Sequence, residues 1–301
     1  MKNTLIVILG PTASGKTSLS LGLAQKYNTE IISADSRQFY REIPIGTAAP
    51  DKSQLKMVRH HFVGNLSVLE HYNVSRFEKE ALNLMEGLFP EKNPLIMVGG
   101  SGLYLNAVCE GMDEMPATDP KVRAELEELL DKEGISALQA KLKVLDPDHY
   151  AVVDPDNPKR LLRALEVCLQ TGKPYSSFRR NRPQPREFST LKIGLQVPRE
   201  ELANRIRKRT EEMLRKGWLE EAKAMLPYRH LNALNTVGYK ELFSYFDGIM
   251  SLDQAVEKIN TNTRRYAKRQ MTWFRKDQEV EWFTPDRIEE IPGYLEKAMN
   301  S

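Results

Sequence analysis

Residues 10–17 read Gly-Pro-Thr-Ala-Ser-Gly-Lys-Thr, a complete G-x-x-x-x-G-K-[ST] loop that follows directly on the apolar run at 5–9. Such a loop works only where a buried strand delivers the chain to a tight turn and a helix departs from it, so it constrains the architecture before anything else. The backbone N–H groups of residues 13–17 then converge on an anion, and a helix starting near Lys16 adds its positive N-terminal end. Gly10, Pro11, Thr12, Ala13, Ser14, Gly15, Lys16 and Thr17 are therefore the expected diphosphate cradle. Lys16 can reach the terminal phosphate oxygens, and the Thr17 hydroxyl is placed to ligate Mg²⁺.

The first half of the chain alternates short apolar runs with amphipathic stretches, as a parallel sheet flanked by helices requires. We expect strands at 5–9, 30–33 and 95–98, with helices at 16–27 and 74–89. Phe77, Ala81, Leu84, Met85 and Leu88 form the apolar stripe of the second helix. The strand at 30–33 ends in Ala34-Asp35-Ser36, and Gly99-Gly100-Ser101-Gly102 turns into a helix at Leu103, so both aim side chains into the ligand crevice of an α/β sheet. From 119 to about 182 the pattern is helical only (120–132, 135–145, 158–170), before strand-like alternation returns at 190–197. The expected fold is α/β: a P-loop NTPase-like core at 1–118 and 188–301, with an all-helical insertion domain at 119–187. The remainder reads as helical, at 199–225, 240–246, 252–277 and 292–299.

With 301 residues, 41% of them hydrophobic, the chain can bury a full core. No apolar run approaches the ~20 residues of a membrane span, and no charged leader precedes the first strand, so a cytoplasmic protein is expected. Cys109 and Cys168 form no C-x-x-C pair and read as small buried hydrophobes rather than zinc ligands. Net charge is +3 but unevenly spread. The stretch 125–133 is acidic, whereas Lys159, Arg160, Arg163, Lys173, Arg179, Arg180, Arg182 and Arg186 crowd a later one. A second block, 258–276, holds Lys258, Arg264, Arg265, Lys268, Arg269, Arg275 and Lys276 without a carboxylate. Any single charge run is commonly a solvated helix face, but two blocks suit a polyanion larger than a nucleotide.

The loop alone does not separate a kinase, an NTPase and a transferase with a diphosphate leaving group. Its neighbours narrow the choice: Asp35-Ser36, Ile45-Gly46-Thr47-Ala48, Gly99-Gly100-Ser101-Gly102-Leu103-Tyr104, the run from Asp156 to Val167, Val237-Gly238-Tyr239-Lys240, and the run from Thr263 to Arg275. In this order and over nearly the whole chain, these motifs resemble the bacterial tRNA dimethylallyltransferases, also called tRNA isopentenyltransferases. The resemblance implies transfer of a dimethylallyl group from dimethylallyl diphosphate to N6 of the adenosine just 3′ of the anticodon (nucleotide 37), in tRNAs reading codons that begin with U.

The resemblance implies catalytic roles for Asp35 as general base, for Thr17 with Mg²⁺, for Ser101, and for Arg209, which taken alone reads as a surface charge. An exocyclic amine is a weak nucleophile, so a carboxylate within reach of its proton suits Asp35 independently. By the same match the tRNA contacts are Asp35, Ser36, Arg37, Gln38, Ser101, Arg123, Lys159, Arg160, Leu161, Leu162 and Arg163. On the helix at 258–276, Arg265, Lys268 and Arg275 share a face that reads as a phosphate track, while Tyr266, Gln270 and Trp273 read as core. The chain departs from the family in two places: Ser101 stands where relatives carry threonine, and Ala49 where they often carry lysine. The expected partners are the tRNA anticodon stem-loop and dimethylallyl diphosphate, with Mg²⁺ as cofactor, no membrane, and a monomeric protein. A P-loop kinase, an adenylate isopentenyltransferase of the cytokinin type and a non-catalytic RNA-binding protein are the alternatives; the intact Lys16, Thr17 and Asp35 count against the last.

Overall fold

The structure, a computed structural model, describes residues 2–117, 119–179 and 183–300. These form two compact units, one of 2–110 with 185–300 and one of 111–184.

The first unit opens with β1 (Thr4–Leu9), whose side chains are all buried. Leu5, Val7 and Leu9 face one apolar layer and Ile6 and Ile8 the other, the alternation of a strand covered on both faces. Then follow α1 (Lys16–Lys26), β2 (Ile31–Ser33), α2 (Lys52–Met57), β3 (His60–His61), α3 (Val74–Leu88), β4 (Leu95–Gly99) and α4 (Gly102–Glu110). Asn73 caps α3 by accepting from Arg76 N, and Phe77, Ala81 and Met85 are its buried stripe.

The second unit is helical: α5 (Pro120–Glu133), α6 (Ile135–Leu145), α7 (Pro147–Tyr150) and α8 (Pro158–Thr171). Asp119, Asp146 and Asn157 cap α5, α7 and α8, each followed by a proline whose missing N–H costs nothing there. Leu126, Leu138, Leu142, Leu161, Leu162 and Leu165 fill its own core. The unit begins at Gly111 rather than at Asp119, because Arg163 donates to Pro116 O at 2.7 Å and Gln184 to Met112 O at 2.9 Å, tying the extended lead-in to it.

The chain returns as β5 (Ser189–Leu195), then α9 (Arg199–Arg215), α10 (Trp218–Ala224), α11 (Tyr239–Phe246), α12 (Leu252–Phe274), β6 (Val280–Phe283) and α13 (Ile291–Met299). Two expectations need correction. The helix expected over 199–225 breaks at Gly217, whose φ of 96° starts α10 and turns Trp218 into the core. The C-terminal part is not all helical, since Val280–Phe283 pairs with β5; a four-residue edge strand carrying Glu281 alternates too briefly to register as a pattern. The six strands are parallel in the order β3-β2-β4-β1-β5-β6. All carboxyl ends therefore lie on one edge, which brings Gly10, Asp35 and Gly100 together.

Candidate active site

Each turn of the cradle has a steric reason. Gly10 leaves β1 at φ 145°, and a Cβ there would sit 2.7 Å from Leu195 O. Ala13 adopts a left-handed φ of 64°, Ser14 N donates to Pro11 O at 3.3 Å, and Gly15 (φ 98°) opens α1. The Lys16 ammonium folds over the loop, donating to Gly10 O at 2.9 Å and Pro11 O at 2.7 Å. Burial pulls its pKa down to about 7; Asp35 opposes that fall and Arg209 adds to it. Both groups are therefore electrostatic neighbours of the cradle.

Asp35 stands just past β2, with its Oδ1 accepting from Arg37 N at 3.0 Å in a tight turn that leaves Oδ2 for another partner. Ser101 locks this turn to the one after β4: its Oγ accepts from Ser36 N at 3.0 Å and lies 3.2 Å from Ser36 Oγ. Gln38 is held by Ser33 Oγ at 3.2 Å and donates to Ala48 O at 3.2 Å, so it braces the 45–49 loop. That loop is fixed by Glu221, which accepts from Ile45 N and Gly46 N, both at 2.8 Å. Gly46 is obligatory, because a Cβ would come within 2.2 Å of Tyr239 Oη and 2.3 Å of Trp218 Nε1.

The C-terminal half supplies the opposite wall. On α9, Arg205 donates to Ser14 O at 3.4 Å, and Arg209 lies one turn further on. Burial lowers the Arg209 pKa, with Asp35 the compensating charge. On α12, Gln270 accepts from Thr12 N at 2.9 Å and donates to Gly100 O at 2.8 Å. Tyr266 is pushed up to about 12, by burial first and then by Asp35. Together these residues line one cavity of about 900 Å³ that includes Thr12 to Thr17, Asp35, Arg37, Gln38, Arg209, Tyr266 and Gln270. An anion cradle thus shares a chamber with a carboxylate whose second oxygen has no hydrogen bond among the described residues.

A model of the IPP transferase family matches residues 38–277 of this chain. A tRNA dimethylallyltransferase of Christiangramia forsetii is 51% identical over 302 aligned positions, covering 100% of both chains. Among solved structures, the full-length tRNA isopentenylpyrophosphate transferase of Bacillus halodurans is 35% identical, with a TM-score of 0.72 over 98% of this chain and 96% of that one. A eukaryotic dimethylallyltransferase captured acting on tRNA is 28% identical, with a TM-score of 0.81 over 94% of this chain and 74% of that one. The chain belongs to the tRNA dimethylallyltransferase (IPP transferase) family.

The cradle, Asp35, Ser36, Arg37, Gln38, Ser101 and Arg209 of this dimethylallyltransferase family member lie together in the structure. The candidate RNA-contacting residues sort differently. Lys159 and Arg160 are exposed on the first turn of α8, and Arg265 and Lys268 are exposed on α12. Leu161 and Leu162, expected at the tRNA, are 0% and 3% exposed in the core of the helical unit, so neither side chain can meet a partner. Arg123 and Arg163 both bind the fully buried Glu166. Arg186 leaves the basic block altogether: it pairs with the largely buried Glu78 at 2.7 Å, which offsets its charge, and donates to the carbonyls of Ala107 and Val108. Arg180 and Arg182 lie outside the described residues. Trp273, expected in the core, is 40% exposed. Gln270 and Tyr266 passed as core positions; the clue to Gln270 is a neutral polar side chain on the buried stripe of a helix otherwise lined with cations. Cys168 is buried and Cys109 partly so; both thiols are free, and burial pushes Cys109 up to about 12.

Proposed function

We propose that the protein transfers the dimethylallyl group of dimethylallyl diphosphate to N6 of adenosine 37 in tRNA. The observation that carries this is Asp35, which shares the cavity and the electrostatics of Lys16 and Arg209. As N6 attacks the allylic carbon, the N–C bond forms and the C–O bond to diphosphate breaks. The electron pair of that bond leaves with diphosphate, and the N6 proton passes to Asp35 Oδ2. Lys16, Arg209 and the loop N–H groups receive the charge that develops on the leaving group. Ser101 positions Asp35 through Ser36 rather than by contact with it.

Mg²⁺ belongs to the same proposal. Among the described residues no three His, Cys, Asp or Glu side chains cluster as a cage. That suits an ion held by one hydroxyl, here Thr17 at the start of α1, together with substrate phosphates and water. When bound, it would neutralise charge on the leaving diphosphate. No helix among the described residues is long and apolar enough to cross a membrane. Action in the cytoplasm, where tRNA resides, and as a monomer completes the proposal.

The test is incubation with Mg²⁺, labelled dimethylallyl diphosphate and an anticodon stem-loop bearing the target adenosine, alongside free AMP. Label in the RNA is the expected result. Label in AMP alone would move the acceptor to a free nucleotide, and label in neither would remove the transferase reading.

A further inference from the structure

Tyr266, Gln270 and Trp273 form an i, i+4, i+7 stripe along α12. The stripe starts in the cavity at Tyr266, crosses the turn after β4 where Gln270 binds Gly100 O, and reaches the surface at Trp273, 40% exposed. There the indole lies against Gly102, whose hypothetical Cβ would meet Trp273 Cδ1 at 2.3 Å and Nε1 at 2.4 Å. Gly102 adjoins Ser101, the residue that ties the Asp35 turn in place. Leu103 beside it is 45% exposed. Arg269, one turn before Trp273 with its guanidinium 5.8 Å from the Tyr266 ring, and Lys276, in the turn that follows α12, are exposed as well.

A lone surface aromatic needs no explanation. This one sits where the stripe leaves the cavity, flanked by cations and seated on a glycine. An aromatic face between basic side chains is the arrangement that captures unstacked bases of single-stranded RNA. We propose that Trp273 is a stacking platform for an unpaired anticodon-loop base next to the extruded adenosine, with Arg269 and Lys276 on the flanking phosphates. The inference rests on the tRNA reading above and deepens it. Extruding the target base strips its neighbour of a stacking partner, and the indole replaces that partner. Stacking on an aromatic side chain strengthens binding by about 5- to 150-fold per base.

Two variants separate stacking from packing: Trp273→Leu keeps apolar bulk over Gly102, and Trp273→Phe keeps a ring. Their affinity for stem-loops that are intact, or that lack the base on the 5′ or the 3′ side of the target adenosine, is read by fluorescence anisotropy without the prenyl donor. Trp273→Leu should weaken the intact stem-loop by about 5- to 150-fold, and Trp273→Phe should recover most of that. Removing one of the two bases should weaken the wild type by a similar factor and leave the leucine variant unaffected. Dimethylallyl diphosphate affinity should not change. Additive losses from side chain and base, wild-type affinity in Trp273→Leu, or loss of diphosphate affinity in that variant would each assign the indole to packing and overturn the proposal. Because binding is read without turnover, failure of label transfer in the wild type would sink the functional reading while this comparison still reported on stacking.

Discussion

Gln270 accepts a hydrogen bond from Thr12 N at 2.9 Å, 258 residues away in sequence, while its amide donates to Gly100 O at 2.8 Å. One buried side chain on α12 thus sets the distance between the phosphate loop after β1 and the turn after β4. Gly100 lets it approach, since a Cβ there would lie 2.3 Å from Gln270 Nε2.

Gln270→Leu keeps much of the volume and abandons both backbone partners. Each buried polar group left unpaired costs about 1–3 kcal/mol. We expect a lower urea midpoint with an unchanged slope, together with a higher KM for dimethylallyl diphosphate because the loop is no longer pinned. Wild-type stability with a normal KM would show that water replaces the side chain at both contacts.

Asp35 combines two jobs that substitution can separate. Its Oδ1 holds Arg37 N, and its remaining oxygen is assigned to the amine proton. Asp35→Asn retains an acceptor for the turn but removes the base, so turnover should fall about 10²- to 10⁴-fold with tRNA affinity nearly unchanged. Asp35→Ala should lose as much activity and some order in the turn besides. Single-turnover rates beside equilibrium binding check this; lost tRNA binding with normal turnover would contradict it.

Much of this was legible in the chain. The cradle could be read because every one of its positions is dictated locally, by a turn, a helix start or a phosphate contact, and α5, α6 and α8 announced themselves by Asp119, Asn157 and apolar stripes. What escaped depends on distant packing. Whether Arg123 faces solvent or Glu166 is decided by how α5 meets α8. Leu161 and Leu162 were assigned to the RNA by motif, although their apolar chemistry already favoured the core they occupy. The exposure of Trp273 follows from where the glycine turn lies, 171 residues earlier at Gly102.

Lys16 makes donor binding depend on pH. Burial holds it near 7, so above that pH the free protein carries it largely neutral. A diphosphate beside it favours the ammonium and raises its pKa. The sign follows: affinity is greatest below about 7 and falls as pH rises toward the pKa of the complex, with proton uptake across that window. At about pH 8 the diphosphate is itself fully ionised, so calorimetry in buffers of differing ionisation heat should show uptake approaching about one proton. Lys16→Met should bind weakly and take up none. Affinity that stays flat from about pH 7 to 9 would detach Lys16 from the diphosphate.

Arg160 and Glu166 lie within two turns of one helix, yet they should fail in opposite ways. Arg160 is exposed at the start of α8, so Arg160→Glu should leave stability alone, weaken tRNA binding and reduce the slope of log affinity against log salt by about 1. Glu166, at 0% exposure, joins Arg123 to Arg163 from beneath. Glu166→Gln removes the carboxylate that both guanidinium groups share; Arg123 keeps Glu127 and Arg163 keeps Pro116 O, and with both arginines partly exposed the loss of the shared charge-assisted bonds costs about 1–3 kcal/mol. Because that cost falls on the helical unit, limited proteolysis should cut within 111–184 in this variant first, while dimethylallyl diphosphate affinity, which depends on the other unit, stays intact. Equal protease resistance in the two variants would mean that Glu166 neutralises its arginines without organising the helices that carry them.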